Sequence, residues 1–116
     1  MSYDLAFWIQ NETDERPPQS IYEELAETET SANLLEYDPG ALLENLKLKF
    51  PGVEMINESQ INWESDTGSF LAQFNAIHVI FTCYHLSTDR MNEIIESAFP
   101  LGLRLYDPQA GQRYAG

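Results

Sequence analysis

The sequence predicts an α+β fold: a four-stranded antiparallel sheet with helices packed on one face, in the ferredoxin-like order β-α-(α)-β-β-α-β. Three observations carry that expectation. The chain opens on an alternating strand over residues 3–9, three helical segments carry their own start or stop signals, and two strands, 69–75 and 76–85, meet at a tight turn near Asn75. With 43% hydrophobic and 12% aromatic residues in 116, there is apolar material for the core of a single domain spanning 1–116, despite the high charge.

In the first strand Tyr3, Leu5, Phe7 and Ile9 share one face. A polar loop follows over 11–18, closed by a proline pair. Ser20 and Glu23 then have the spacing of a capping box, in which hydroxyl and carboxylate each satisfy a free amide of the first turn. Ile21 and Leu25 give that helix only a thin apolar stripe, and 28–31 reads as its frayed end. Asp38-Pro39-Gly40 opens a second helix, with Asp38 as cap and Pro39 where a missing amide costs nothing. Leu42, Leu43, Leu46 and Phe50 recur at helical spacing, and Pro51-Gly52 stops the run. Residues 53–68 carry the weakest signal, with 61–63 as a short edge strand. In the strand over 76–85, Ile77, Val79, Phe81 and Cys83 take one face and His78, Ile80, Thr82 and Tyr84 the other. Thr88 is placed to cap a third helix with a stripe of Met91, Ile94, Ile95 and Ala98, ended by Pro100 and Gly102. A last strand over 103–106 stops at Asp107-Pro108.

Charge is the feature that bears on function. Between Glu12 and Asp66 fourteen carboxylates face only Arg16, Lys47 and Lys49, which leaves −11 of the chain's −13 in that stretch. Such a field repels nucleic acid and anionic membranes and attracts basic protein surfaces. No apolar run is long enough to span a bilayer, and the start lacks the basic region of a signal peptide. The one cysteine, Cys83, has no internal disulfide partner, which fits a reducing compartment. Together these predict a cytoplasmic protein.

Catalytic chemistry finds little support in the residues, and no enzyme activity is expected. Cys83 and His85 lie two apart on a strand, about 6–7 Å along it, too far for a nucleophile and its base. His78 and His85 fall on opposite faces and cannot share a metal ion. The spacings of zinc and calcium motifs and the glycines of a phosphate-binding loop are absent. No cofactor and no metal is expected.

Aromatic and aliphatic side chains interrupt the acidic block at Tyr22, Leu34, Leu35, Tyr37 and Trp63. Charge steers encounter while buried aromatics supply affinity, so the pattern reads as an interface as well as a solvated surface. Carboxylates can also imitate a phosphate backbone. A second surface is the open sheet face, where His78, Ile80, Thr82 and Tyr84 stand beside Leu71 and Trp8. It would serve a small-molecule site built on His78 and Tyr84, or a homodimeric adaptor.

Two phrases at the ends of the chain point further. The run Ser2-Tyr3-Asp4-Leu5-Ala6-Phe7-Trp8 and the run Gly102-Leu103-Arg104-Leu105-Tyr106-Asp107-Pro108-Gln109 are similar to the opening and close of a group of small bacterial proteins. That group resembles the immunity proteins that accompany polymorphic and contact-dependent growth inhibition toxins. The resemblance covers about fifteen residues at the strand termini. With the acidic block it implies an immunity protein, a monomer or weak homodimer, that neutralises a basic toxin domain, a nuclease in the first instance. Glu23, Glu24, Glu27, Glu29, Glu36 and Asp38 would meet the toxin, with Tyr22, Tyr37 and Trp63 as anchors.

Overall fold

The computed structural model describes residues 2–110, 112 and 113. The elements run β1 (Ser2–Gln10), α1 (Pro18–Thr28), β2 (Leu34–Leu35), α2 (Pro39–Lys49), β3 (Glu54–Asn57), β4 (Gln60–Ser65), β5 (Gly68–Phe74), β6 (His78–Tyr84), α3 (Thr88–Ala98), a 3-10 turn (Phe99–Leu101), β7 (Arg104–Asp107) and β8 (Gln112–Arg113). Seven strands form an antiparallel sheet in the order β3-β4-β5-β6-β1-β7-β8, and β2 pairs with the end of β1 at Ile9 and Gln10.

The protein is α+β, but it overturns the expected four-stranded ferredoxin-like sheet in two respects. Residues 53–68, read as loop with a short edge strand, supply both β3 and β4. Every residue of β3 is exposed, so no alternation of apolar residues marks it; backbone pairing to β4 holds it, with the Asn57 side chain donating to that of Gln60 at 2.6 Å. The helices also occupy both faces. α2 and α3 cover one side, where Leu5 and Phe7 join Leu42, Leu46, Phe50, Phe81 and Ile94. α1 covers part of the other, setting Ile21 and Leu25 on Ala6, Trp8 and Tyr106. The cause is β1, whose residues 5–8 are all buried: a strand apolar on both sides needs cover on both. β6 and β7 flank β1, each antiparallel to it, so they run parallel to one another and α3 makes the crossover.

Aromatic rings build the larger core. Phe7 meets Phe81 edge-on at 5.7 Å, Phe81 meets Phe70 at 5.3 Å, and Phe50 stands edge-on to Phe70 at 5.1 Å and to Trp63 at 4.9 Å. The Arg90 guanidinium lies over Phe50 and Trp63 and donates to the Lys49 carbonyl at 2.9 Å, tying α3 to the end of α2. Of the expected caps, Asp38 acts as read, its Oδ1 accepting from the amides of Gly40 at 2.9 Å and Ala41 at 3.3 Å. In α3 the cap is Ser87 rather than Thr88, with the Ser87 hydroxyl accepting from the Arg90 amide.

The two terminal phrases meet. β1 pairs with β7 through Ala6 with Tyr106 and Phe7 with Leu105. The Tyr3 hydroxyl donates to Asp107, whose other oxygen accepts from the amides of Gln109 at 3.0 Å and Ala110 at 3.3 Å. The Gln109 side chain bridges the Asp4 backbone, donating to its carbonyl at 3.0 Å and accepting from its amide at 3.1 Å. These residues therefore have structural work that accounts for their pattern: they join the first strand to the last long one.

Candidate functional site: the acidic surface around α1

The acidic surface is organised by α1. Its start is set by Pro17 as N-cap and Pro18 in the first turn, positions that need no amide donor. No side chain caps this end, and Ser20 lies inside the first turn with its amide on the Pro17 carbonyl at 3.1 Å. The expected capping box does not form, which leaves the Glu23 carboxylate on the surface. Ile21 and Leu25 face the sheet, and Glu23, Glu24 and Glu27 are exposed. Tyr22 is half-buried against Tyr106, with ring centroids 5.7 Å apart, and its hydroxyl reaches Asp4 at 3.4 Å. Burial raises the Tyr22 pKa, with Asp4 adding to the shift.

Arg16 is the cation nearest the helix, and Asp14 claims most of it. The pair meets at 2.6 Å, and the Arg16 hydrogen bonds hold the Asp14 carboxyl down at about 2. The same guanidinium donates to the Ser31 hydroxyl at 2.8 Å and to the Ala32 carbonyl, so it clamps the loops at both ends of α1. Glu24 is a more distant partner at 3.6 Å. Glu23, Glu27, Glu29 and Glu36 have no ion pair with a described residue.

Glu29 ends the helix in the left-handed conformation, φ 60°, with its amide on the Leu25 carbonyl at 2.8 Å. That position favours glycine. Glu29→Gly is expected to raise stability by about 1 kcal/mol, or about 4 °C in Tm, measured by thermal unfolding. The Glu29 carbonyl accepts from the Asn75 side chain at 2.6 Å, which couples the helix end to the β5–β6 turn.

The structure separates the expected anchors. Tyr22 alone borders the acidic surface. Tyr37 is 8% exposed, and its hydroxyl donates to the His78 carbonyl at 3.0 Å. Trp63 is 4% exposed, on the opposite side of the sheet beneath α2, donating to the Pro51 carbonyl at 3.1 Å. Both are core residues. Glu36 is exposed after β2, and Asp38 is occupied as a cap. Glu12 and Glu15, exposed in the loop before α1, extend the acidic surface and were not among the expected contacts.

The alternative site on the sheet face also divides. Tyr84 is 44% exposed, whereas His78 is 3% exposed with its Nδ1 2.8 Å from the Asn75 side-chain oxygen. Burial depresses the His78 pKa against the opposing pull of Glu29. The unfolded chain therefore takes up this proton first as pH falls. The stability that neutral His78 contributes is complete above its unfolded value of 6.5 and declines below it. In urea unfolding, the advantage of the wild type over His78→Gln is expected to shrink between pH 7.5 and 5.5; a constant difference would contradict this. Cys83 is buried, and burial pushes its thiol up to about 12, so it stays protonated at neutral pH. A groove of about 390 Å³ between α3 and the β1–β7 pair is walled by Leu5, Met91, Ile95 and Leu105, with Tyr3 and Asp107 at its edge and no histidine. Among the described residues no three His, Cys, Asp or Glu side chains are grouped to hold a metal ion, and no helix is long and apolar enough to cross a membrane.

No family model, no curated protein and no solved structure matches the chain.

Proposed function

We propose that the chain is a cytoplasmic immunity protein that binds a basic toxin domain, a nuclease, and neutralises it by filling the substrate groove with carboxylates. The observation that carries this reading is the charge arrangement on α1. Glu23 and Glu27 are like charges one turn apart, and Glu27 and Glu29 sit at the negative end of the helix dipole with no basic residue in the last turn. Each such placement costs the helix a few tenths of a kcal/mol up to about 1 kcal/mol. Charges set against the helix's own stability are expected where function rather than folding selects the surface. The resemblance of the chain ends to immunity-type proteins supports the same reading.

The test is capture from nuclease-treated lysate of the source organism on the tagged protein at moderate salt, followed by assay of the captured domain. The expected result is a basic domain whose nuclease activity falls stoichiometrically as this chain is added. Failure to retain any basic domain, or retention with undiminished activity, would reject the proposal.

A further inference from the structure

We infer that the uncovered half of the sheet face on the α1 side is the platform on which the basic partner docks, with Leu71 and Tyr84 as its floor. The inference rests on the reading of the acidic surface just given, and it replaces Tyr37 and Trp63 as the source of apolar contact.

Strand register defines the platform. Across β3, β4, β5, β6 and β1, one row reads Glu54, Asn62, Leu71, Thr82 and Asp4. The adjoining row reads Glu64, Ser69, Tyr84 and Ser2. Directly opposed residues share a face, so these side chains stand together. The face is the one that carries Ala6 and Trp8, but α1 covers only the part of it around Ala6, Trp8 and Tyr106. Leu71, Thr82 and Asn62 are left half-buried and Tyr84 exposed. At about 4.8 Å per strand, Glu54 and Asp4 bracket the floor from about 19 Å apart. α1 borders it through Tyr22, which bonds to Asp4.

The occupant follows from charge. Three carboxylates lie on these two rows and no lysine or arginine does. A second copy of the chain, at −13, would bring the same carboxylates against themselves. A basic domain meets opposite charge at the rim and apolar surface at the centre, the distribution found in specific interfaces.

The probe is the basic domain retained by the wild-type chain. In methyl-labelled wild type, titration with it is expected to shift the Leu71 and Thr82 resonances and leave Leu48 and Met91 in place. Tyr84→Ala, which removes an exposed ring and leaves the core intact, is expected to weaken binding about thirtyfold. Tight binding with unmoved Leu71 and Thr82 methyls and an unaffected Tyr84→Ala would overturn the platform while leaving the acidic-surface reading in force. No basic domain retained by the wild type would overturn both. Self-association that shifts these methyls without added partner would overturn it too, by assigning the face to a second copy.

Discussion

Truncating Trp63 to alanine is expected to cost about 3–5 kcal/mol, a large part of the roughly 5–15 kcal/mol that holds a typical domain together. The indole is 4% exposed, stacks on Phe70 at 5.9 Å, stands edge-on to Phe50 and lies under the Arg90 guanidinium. Removing it leaves a cavity between β4 and α2 and unseats the cation that joins α2 to α3. Equilibrium urea unfolding followed by circular dichroism measures the loss. Tyr84→Ala provides the contrast: a partly exposed ring outside both buried clusters, whose truncation is expected to cost less than about 1 kcal/mol. If Trp63→Ala unfolds at nearly the wild-type urea concentration, the indole is not a core residue and belongs to a surface.

The second large effect concerns encounter with a partner. Glu23→Lys with Glu27→Lys is expected to slow association with the proposed basic partner at least about tenfold at low salt, with little change in dissociation. The difference should close toward 1 M salt, where the screening length falls to about 3 Å. The chain should stay folded, because the reversal exchanges one like-charge pair for another on an exposed face and places a cation near the negative end of α1. Glu44→Lys with Glu96→Lys is the matched control, since both pairs move the net charge from −13 to −9. Those residues lie on α2 and α3, across the sheet from α1. Stopped-flow association rates of the two double variants separate location from total charge, and equal slowing would remove α1 from the interface.

What could be read from the sequence followed how locally each feature is encoded. The helices declare themselves through neighbours: Ile21 with Leu25, Asp38 with Pro39, and Met91, Ile94, Ile95 and Ala98 on one stripe. The acidic surface is legible because exposed charge is counted directly in the composition. Trp63 misled because carboxylates surround it in sequence, although its spacing of two from Ile61 places both on one strand face, and both are buried. Tyr37 gave no local signal at all; it is buried in the larger core, and its hydroxyl finds its partner on a carbonyl forty-one residues away. The helix on the second face was hidden in β1, where Trp8 sits out of phase with Leu5 and Phe7 and calls for cover of its own. β3 could not be found by alternation, because an edge strand with no buried residue is specified by its neighbour's backbone.

The position of β1 has a consequence for synthesis. Trp8 pairs with His78 on one side and with Arg104 on the other, so the central strand leaves the ribosome long before either neighbour exists. α1 likewise waits for Tyr106, the ring on which Tyr22 rests. Until β6 is made, the nascent chain thus carries a doubly apolar strand paired only at its end with β2, a state open to aggregation and to chaperone capture.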